Sequence, residues 1–600
     1  MKKNDQSSLI GLLLIGLLIL AFPYFFPEEK STEKSSNDNN QSVEESSISI
    51  ENKTSTSEGS PNTDEIIIDK QQENNTIDNE KLFHLENEKI KLILSNKGGT
   101  IQSAIIKDFY TYDEYKSNKN SKDFINIFNK ESNFFIKSFD NLYDTVSTSL
   151  NQIFKSEYNQ DSTRLTFTKT FPNNKSIEYT YEINKEIDQN LVNFFVKTEN
   201  LDAPRLYWNI SAPKTEKSKI NQEQYTGFYY QEDNSKDVDY FFKDKKKREV
   251  DVDLSWVSFT QQFFSTIFIA KDEFDGAGLT VRNDNDKDIV KTLSFRTDIN
   301  NGTNEYSIYF GPNDYKRLKT YDKGFEEIIP LGWGIFGWVN KYIVINIFDF
   351  LMNNLNMSLG IIILFLTLII KLILSPLTYK SYLSQAKMKV LKPEVDKINE
   401  KYKSKDPMKS QKETMSLYRK AGVNPLGGCL PMLVQFPILI AMFRFFPASI
   451  DMRQQEFLWA DDLSAYDSIM SLPFSIPFYG DHVSLFTLLM TISTLMYTHM
   501  NMKMSSAQMP GMKWMMYLMP IVFLGVLNSY ASSLSYYYFL ANMFTFSQMY
   551  LMKRFVDEKA IFAQLEANKK RPPKPKSKFQ KKLEEIQKKQ EAQLKKRKKK

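Results

Sequence analysis

Residues 357–378 read MSLGIIILFLTLIIKLILSPLT, one lysine inside a run otherwise apolar enough to cross a bilayer. A membrane helix needs roughly 20 apolar residues, and this stretch supplies about that number. A charge near mid-helix costs about 2.5–3.5 kcal/mol on insertion scales. Two readings account for Lys371. It can snorkel, although the basic loop starting at Lys380 is roughly 9 residues or about 13 Å away along the helix. Alternatively it faces a polar cavity within the membrane.

Further apolar windows lie at Leu9–Phe26, Leu430–Phe446, Val483–Tyr497 and Met512–Met552, the last broken at Asn528–Ser529. The expected fold is a membrane protein with six transmembrane α-helices, an N-terminal anchor plus a five-helix core. The first window follows Lys2 and Lys3 and ends in Ala21-FPYFFPEE. Bulky aromatics stand where a cleavage site needs small residues, so an uncleaved anchor is expected.

Charge orients these helices. Residues 380–420 carry 12 Lys/Arg and 5 Asp/Glu, a net of +7, and 553–600 carry 19 and 6, a net of +13. The link 501–513 holds Lys503 and Lys513 with no acid. In contrast, 447–481 holds Arg453 against six acids. Short basic loops stay in the cytoplasm. Six spans with both termini inside put all three basic segments on that side and the acidic ones outside.

The 600 residues divide accordingly. Residues 1–27 form the anchor, and 28–80, rich in Ser, Asn, Glu and Thr, a disordered tether. Over 81–330 the pattern has period two. Ile90, Leu92 and Leu94 alternate with polar neighbours, Lys97-Gly98-Gly99 turns, Ile101, Ser103 and Ile105 follow, and Ile177, Tyr179, Tyr181 and Ile183 repeat the pattern. Such alternation predicts a large extracytoplasmic β-sandwich. Residues 331–356, with Asn340, Lys341, Asn346 and Asp349 among apolar neighbours, suit an interfacial helix region. Then come transmembrane helix 2 (357–378), a basic cytoplasmic helical hairpin (379–424), helix 3 (425–447), an outer loop (448–481), helices 4 to 6 (482–552) and a basic tail (553–600). Asp406-Pro407 is a helix start and Gly422 a helix stop. The tail is either a solvated chain or a binder of polyanions, namely anionic lipids or ribosomal RNA.

The sequence has no GxxxxGK[ST], HExxH or GxSxG. Its histidines, His84, His482 and His499, fall far apart in the predicted topology, and its one cysteine, Cys429, suits packing. No enzyme, cofactor or metal is expected.

Lys371-LILSPLTYKSYLSQAKMKVLKPEV, Tyr418-RKAGVNPLGGCLPMLVQFPILIAMF and Tyr537-YFLANMFTFSQ resemble the YidC family of membrane-protein insertases. More loosely, Glu88-KIKLILSNKGG and Trp256-VSFTQQFFSTIFIA resemble the outer domain of its Gram-negative type. The resemblance implies a chaperone and insertase of the cell inner membrane, with a periplasmic β-domain and a hydrophilic groove open to cytoplasm and lipid. Lys371 stands where that family usually has arginine. Thr367 and Tyr538 match substrate-contacting positions, and Gln435 and Asn542 are further polar candidates, either groove-lining or helix–helix hydrogen bonders. Implied partners are nascent membrane proteins, the ribosome through tail and hairpin, the signal-recognition machinery, the secretion translocon and anionic lipids. A secondary transporter of a small solute or anion would show internal repeats, which the five core spans lack. A membrane-anchored periplasmic scaffold would leave Lys371 unexplained.

Overall fold

The computed structural model describes residues 80–570, apart from 118, 120, 121, 141–144, 187, 403–405, 425, 426, 428, 429 and 505–511. The anchor, the tether, Cys429 and residues 571–600 of the tail therefore lie outside the described residues.

Strands Leu82–Glu86, Ile90–Ser95, Thr100–Ile106 and Ile125–Asn126 form a four-stranded antiparallel sheet. Ile90, Leu92 and Leu94 are fully buried, as their alternation predicts. Gly98 and Gly99 turn the chain at φ +80° and +63°. A Cβ at Gly99 would stand 2.6 Å from the Tyr179 ring, so no other residue fits there without displacing it. Beyond the turn the expected alternation of Ile101, Ser103 and Ile105 needs correction. Ile93 pairs with Ser103 but Leu94 with Ile101, so the pairing skips Gln102. The bulge exchanges the faces, and Ala104 and Ile106 are buried while Ile105 is only half-buried.

The rest of the outer domain is one 14-stranded antiparallel system. Its centre comprises β1 (Leu191–Glu199), β2 (Arg205–Pro213), β3 (Phe264–Asn283), β4 (Ile289–Asp298) and β5 (Gly302–Pro312), in spatial order β2-β4-β3-β5-β1. The 20-residue β3 serves two layers. Phe264–Ala270 pairs with β5, and beyond a bulge near Gly276 the strand pairs with β4. Between the layers Trp208 and Phe295 meet Phe268 with ring centroids 5.1 and 5.9 Å away. These strands share one apolar core, and the sheet runs on through one bent strand.

The chain after residue 330 is mainly helical. Its helices include α1 (Gly334–Val339), α2 (Ile345–Asn354), α3 (Leu359–Val390), α4 (Lys392–Tyr402), α5 (Pro407–Lys420), α6 (Leu430–Ala448), α7 (Leu485–Met504), α8 (Met512–Asn528), α9 (Ser532–Phe555) and α10 (Glu558–Lys569). Among the described residues two helical stretches are long and apolar enough to cross a membrane, Gly334–Asn354 and Leu359–Val390. The first, expected as interfacial, is helical through a π turn at Asn340–Val344. The fully buried Asn340 donates from that turn to Leu331 O (2.6 Å) and Ala441 O (2.8 Å), tying the segment to α6.

α3 does not stop at residue 378. It continues through Pro376 to Val390, because nothing after that proline breaks the helix before Pro393 and a membrane helix tolerates one proline. The hairpin is correspondingly shorter, α4 packed on α5, with Asp406 accepting from Lys409 N at 3.1 Å as the predicted cap. The described part of the tail is helical. α10 buries Ile561 and Leu565 against Leu391, Val395 and Tyr418, and Lys569 pairs with Glu394 at 2.5 Å.

Candidate functional site

Lys371 sits 12 residues into α3 (371 − 359), about 18 Å from its start at 1.5 Å per residue. The side chain is 5% exposed. Its Nζ donates to Thr545 Oγ1 on α9 at 2.9 Å and to Gln435 Oε1 on α6 at 3.3 Å. Thr545 can accept because its own proton goes to Ala541 O, 2.7 Å away within α9. Gln548, one turn on, donates to the Lys371 carbonyl at 3.0 Å. The ammonium therefore ends inside the helical core and does not snorkel.

Every partner of that ammonium is neutral. None of α3, α6, α7, α8 and α9 contains an Asp or Glu. A cation held this way keeps its positive field, and hydrogen bonds offset part of its desolvation. The arrangement suits attraction of an anionic group entering between α3, α6 and α9.

The other predicted residues separate. Asn542 is buried and donates to Ser493 Oγ (2.9 Å) and Thr494 Oγ1 (3.0 Å) on α7, so it joins two helices. Tyr538 is half-buried among apolar neighbours of the core. Thr367 is fully buried and its hydroxyl bonds back to Ile363 O at 2.7 Å, away from the Lys371 cluster. Thr545 and Gln548 escaped the sequence reading. Their signal was spacing, since Tyr538, Asn542, Thr545 and Gln548 fall at i, i+4, i+7 and i+10 on one face of α9.

The other end of this helical core is tied together by hydrogen bonds of Asp467 and Asn528. Asp467 accepts from Leu485 N (2.8 Å) and Phe486 N (3.1 Å) at the start of α7, from Ser484 Oγ (2.5 Å) and from Trp459 Nε1 (2.8 Å). Asn528 bonds the 479–484 segment through Tyr479 O, His482 O and Ser484 N. Beside these residues the β-domain docks on the loop after α6. Arg453 Nε lies 3.0 Å from both carboxylate oxygens of Glu216, with the two side chains 2% and 6% exposed, and its Nη2 reaches Tyr110 O at 2.5 Å. Burial pushes the Glu216 carboxyl up, and the Arg453 charge opposes that.

Family models match most of the chain, one described as 60Kd inner membrane protein over residues 350–559 and one as YidC periplasmic domain over 82–345. A protein named membrane protein insertase YidC from Parabacteroides distasonis is 37% identical, over 99% of this chain and 99% of its own length. The chain belongs to the YidC family of membrane protein insertases. YidC relatives from Bacteroides fragilis and Porphyromonas gingivalis are 35% and 36% identical, each over 98% of both chains. A solved galactose mutarotase-like protein from Lactobacillus casei is similar to 39% of this chain and 100% of its own, at 13% identity and a TM-score of 0.27. As a YidC-family member the chain is an inner-membrane protein with a helical core and a large β-rich periplasmic domain.

Proposed function

We propose that this chain inserts newly made proteins into the inner membrane through a positively charged groove centred on Lys371, without nucleotide hydrolysis. One observation carries this reading, a buried lysine among acid-free helices whose hydrogen bonds all go to neutral groups. A substrate helix gains about 0.3–0.6 kcal/mol for each Leu, Ile, Phe or Val moved to the bilayer centre. The obstacle is its polar flank, whose charges must cross hydrocarbon. Lys371 attracts acidic groups in that flank, and the membrane potential adds about 2.3 kcal/mol per charge per 100 mV in favour of moving negative charge outward. Short helices such as α8, 17 residues long and packed on α7, thin the bilayer locally and lower the same barrier.

In this reading six spans place both termini, the α4–α5 hairpin and α10 in the cytoplasm. The basic hairpin and tail meet the ribosome and anionic lipid heads, and the signal-recognition machinery and secretion translocon supply clients. Gly334–Asn354 lies along the outer interface, held to the β-domain by Lys341–Glu327 (2.5 Å) and Lys316–Asp349 (2.9 Å).

A photo-crosslinker at Tyr538, with Phe523 of α8 as the lipid-facing control, tests the groove on ribosome-bound chains of a single-span client. A crosslink should appear from Tyr538 as the span emerges and vanish on release. Equal labelling from both positions, or none from Tyr538 at any chain length, would overturn it.

A further inference from the structure

Two adjoining cavities of about 220 and 720 Å3 lie where the β-domain meets the start of α3 and the end of α6. They share Asp314, Met352, Ile450 and Asp451 in their walls. Three carboxylates line the smaller one, Asp314, Asp349 and Asp451. Asp349 pairs with Lys316, whereas neither Asp314 nor Asp451 has a cationic partner among the described residues. Asp451 keeps an exposed surface although enclosing protein, together with Asp314 and Asp349, raises its carboxyl above the ordinary range. Its place in both walls leaves Asp451 facing that space.

The larger cavity adds cations to the shared carboxylates, and of these Lys89, Lys107 and Arg453 are paired with Asp108, Glu86 and Glu216. Arg317 lines it, and its guanidinium makes no ion pair or hydrogen bond among the described residues. Ser358, the N-cap of α3, also lines it, and its side chain caps no backbone N–H. Free N–H groups at a helix start favour an anion. Met352, Met357 and Leu359 complete an apolar wall beside the first residues of α3. Cationic and anionic subsites, one acceptor-rich and one donor-rich, thus adjoin an apolar edge.

We propose that this double cavity binds the headgroup of a zwitterionic aminophospholipid from the outer leaflet, its ammonium toward Asp314 and Asp451 and its phosphate toward Arg317 and the start of α3. The assignment rests on the six-span topology of the proposed function, in which α3 begins and α6 ends at the outer membrane–water interface. A primary ammonium fits better than choline, since only N–H donors satisfy the carboxylates. An acidic lipid without an amine would satisfy Arg317 alone.

The test is native mass spectrometry of the full chain released from nanodiscs of equal phosphatidylethanolamine, phosphatidylcholine and phosphatidylglycerol. Phosphatidylethanolamine should be retained preferentially, and soluble glycerophosphoethanolamine should compete it away only at far higher concentration. Competition at equal concentration would instead assign the site to free headgroup and overturn a lipid site. Asp451→Asn and Asp314→Asn should each weaken retention about tenfold, the scale of one charge-assisted hydrogen bond. Arg317→Gln, at a half-buried position, tests the phosphate side without burying a new group. Lys371→Glu should retain the lipid like the parent chain, so a failed groove and a failed lipid site give different results. Equal retention of the three lipids, or unchanged preference in all three cavity variants, would overturn the proposal.

Discussion

Lys371 holds its charge against hydrocarbon with two neutral oxygens, Gln435 Oε1 and Thr545 Oγ1. Lys371→Glu reverses that field and sets a carboxylate against the same oxygens. Insertion of a single-span client into proteoliposomes, read by protease protection, should fall about tenfold or more. Lys371→Arg should retain most activity, because its fork keeps donors for both partners. Equal insertion by Lys371→Glu and the parent would count against the groove. Gly99→Ala tests the outer domain at the same scale. Its Cβ would meet Tyr179 at 2.6 Å on a backbone at φ +63°, so it should cost about 1–3 kcal/mol, visible as a lower midpoint in thermal unfolding. Lys371 and Gln435 were legible as polar residues inside apolar runs. The orientation of Thr367 was not, because a helical threonine can satisfy itself on the preceding turn, and Thr367 does so.

Elements are joined here by buried polar contacts that no local pattern announces. Glu216 and Arg453 are 237 residues apart, yet they form a nearly fully buried pair between the β-domain and the loop after α6. Arg453→Met strands the Glu216 charge and should cost about 3–5 kcal/mol. The double variant Glu216→Gln with Arg453→Met should recover much of that loss, since well-packed neutral groups can replace a buried pair. A double-mutant cycle on thermal unfolding checks both, and additive losses would show that the two residues act independently. Element type was readable from periodicity, strands in the outer domain and helices after residue 330. Element ends were less so. α3 overran its apolar stretch because the polar residues after Pro376 still form helix, and the buried side of that continuation is set by contacts with α10.

For the whole molecule, the basic hairpin and tail lie on the cytoplasmic side in the proposed topology. Lys569 is held by Glu394 and Glu566, so the tail deletion is placed beyond it. Deleting 571–600 should weaken ribosome co-sedimentation, with the difference from the parent shrinking as salt rises, while single-span insertion without ribosomes stays intact. Binding unchanged at low salt would remove the tail from that role. The sequence by itself determined the class of this protein. Apolar runs, charge asymmetry and period-two strands are local properties, and water, lipid and the membrane potential act on each directly. Tertiary structure alone decided which polar groups meet. Whether Lys371 snorkels or ends on Thr545, whether Asn542 joins α7, and whether Asp451 faces a cavity depend on side chains far apart in the chain. Their contacts exist only once the helices and the β-domain have packed and excluded water between them.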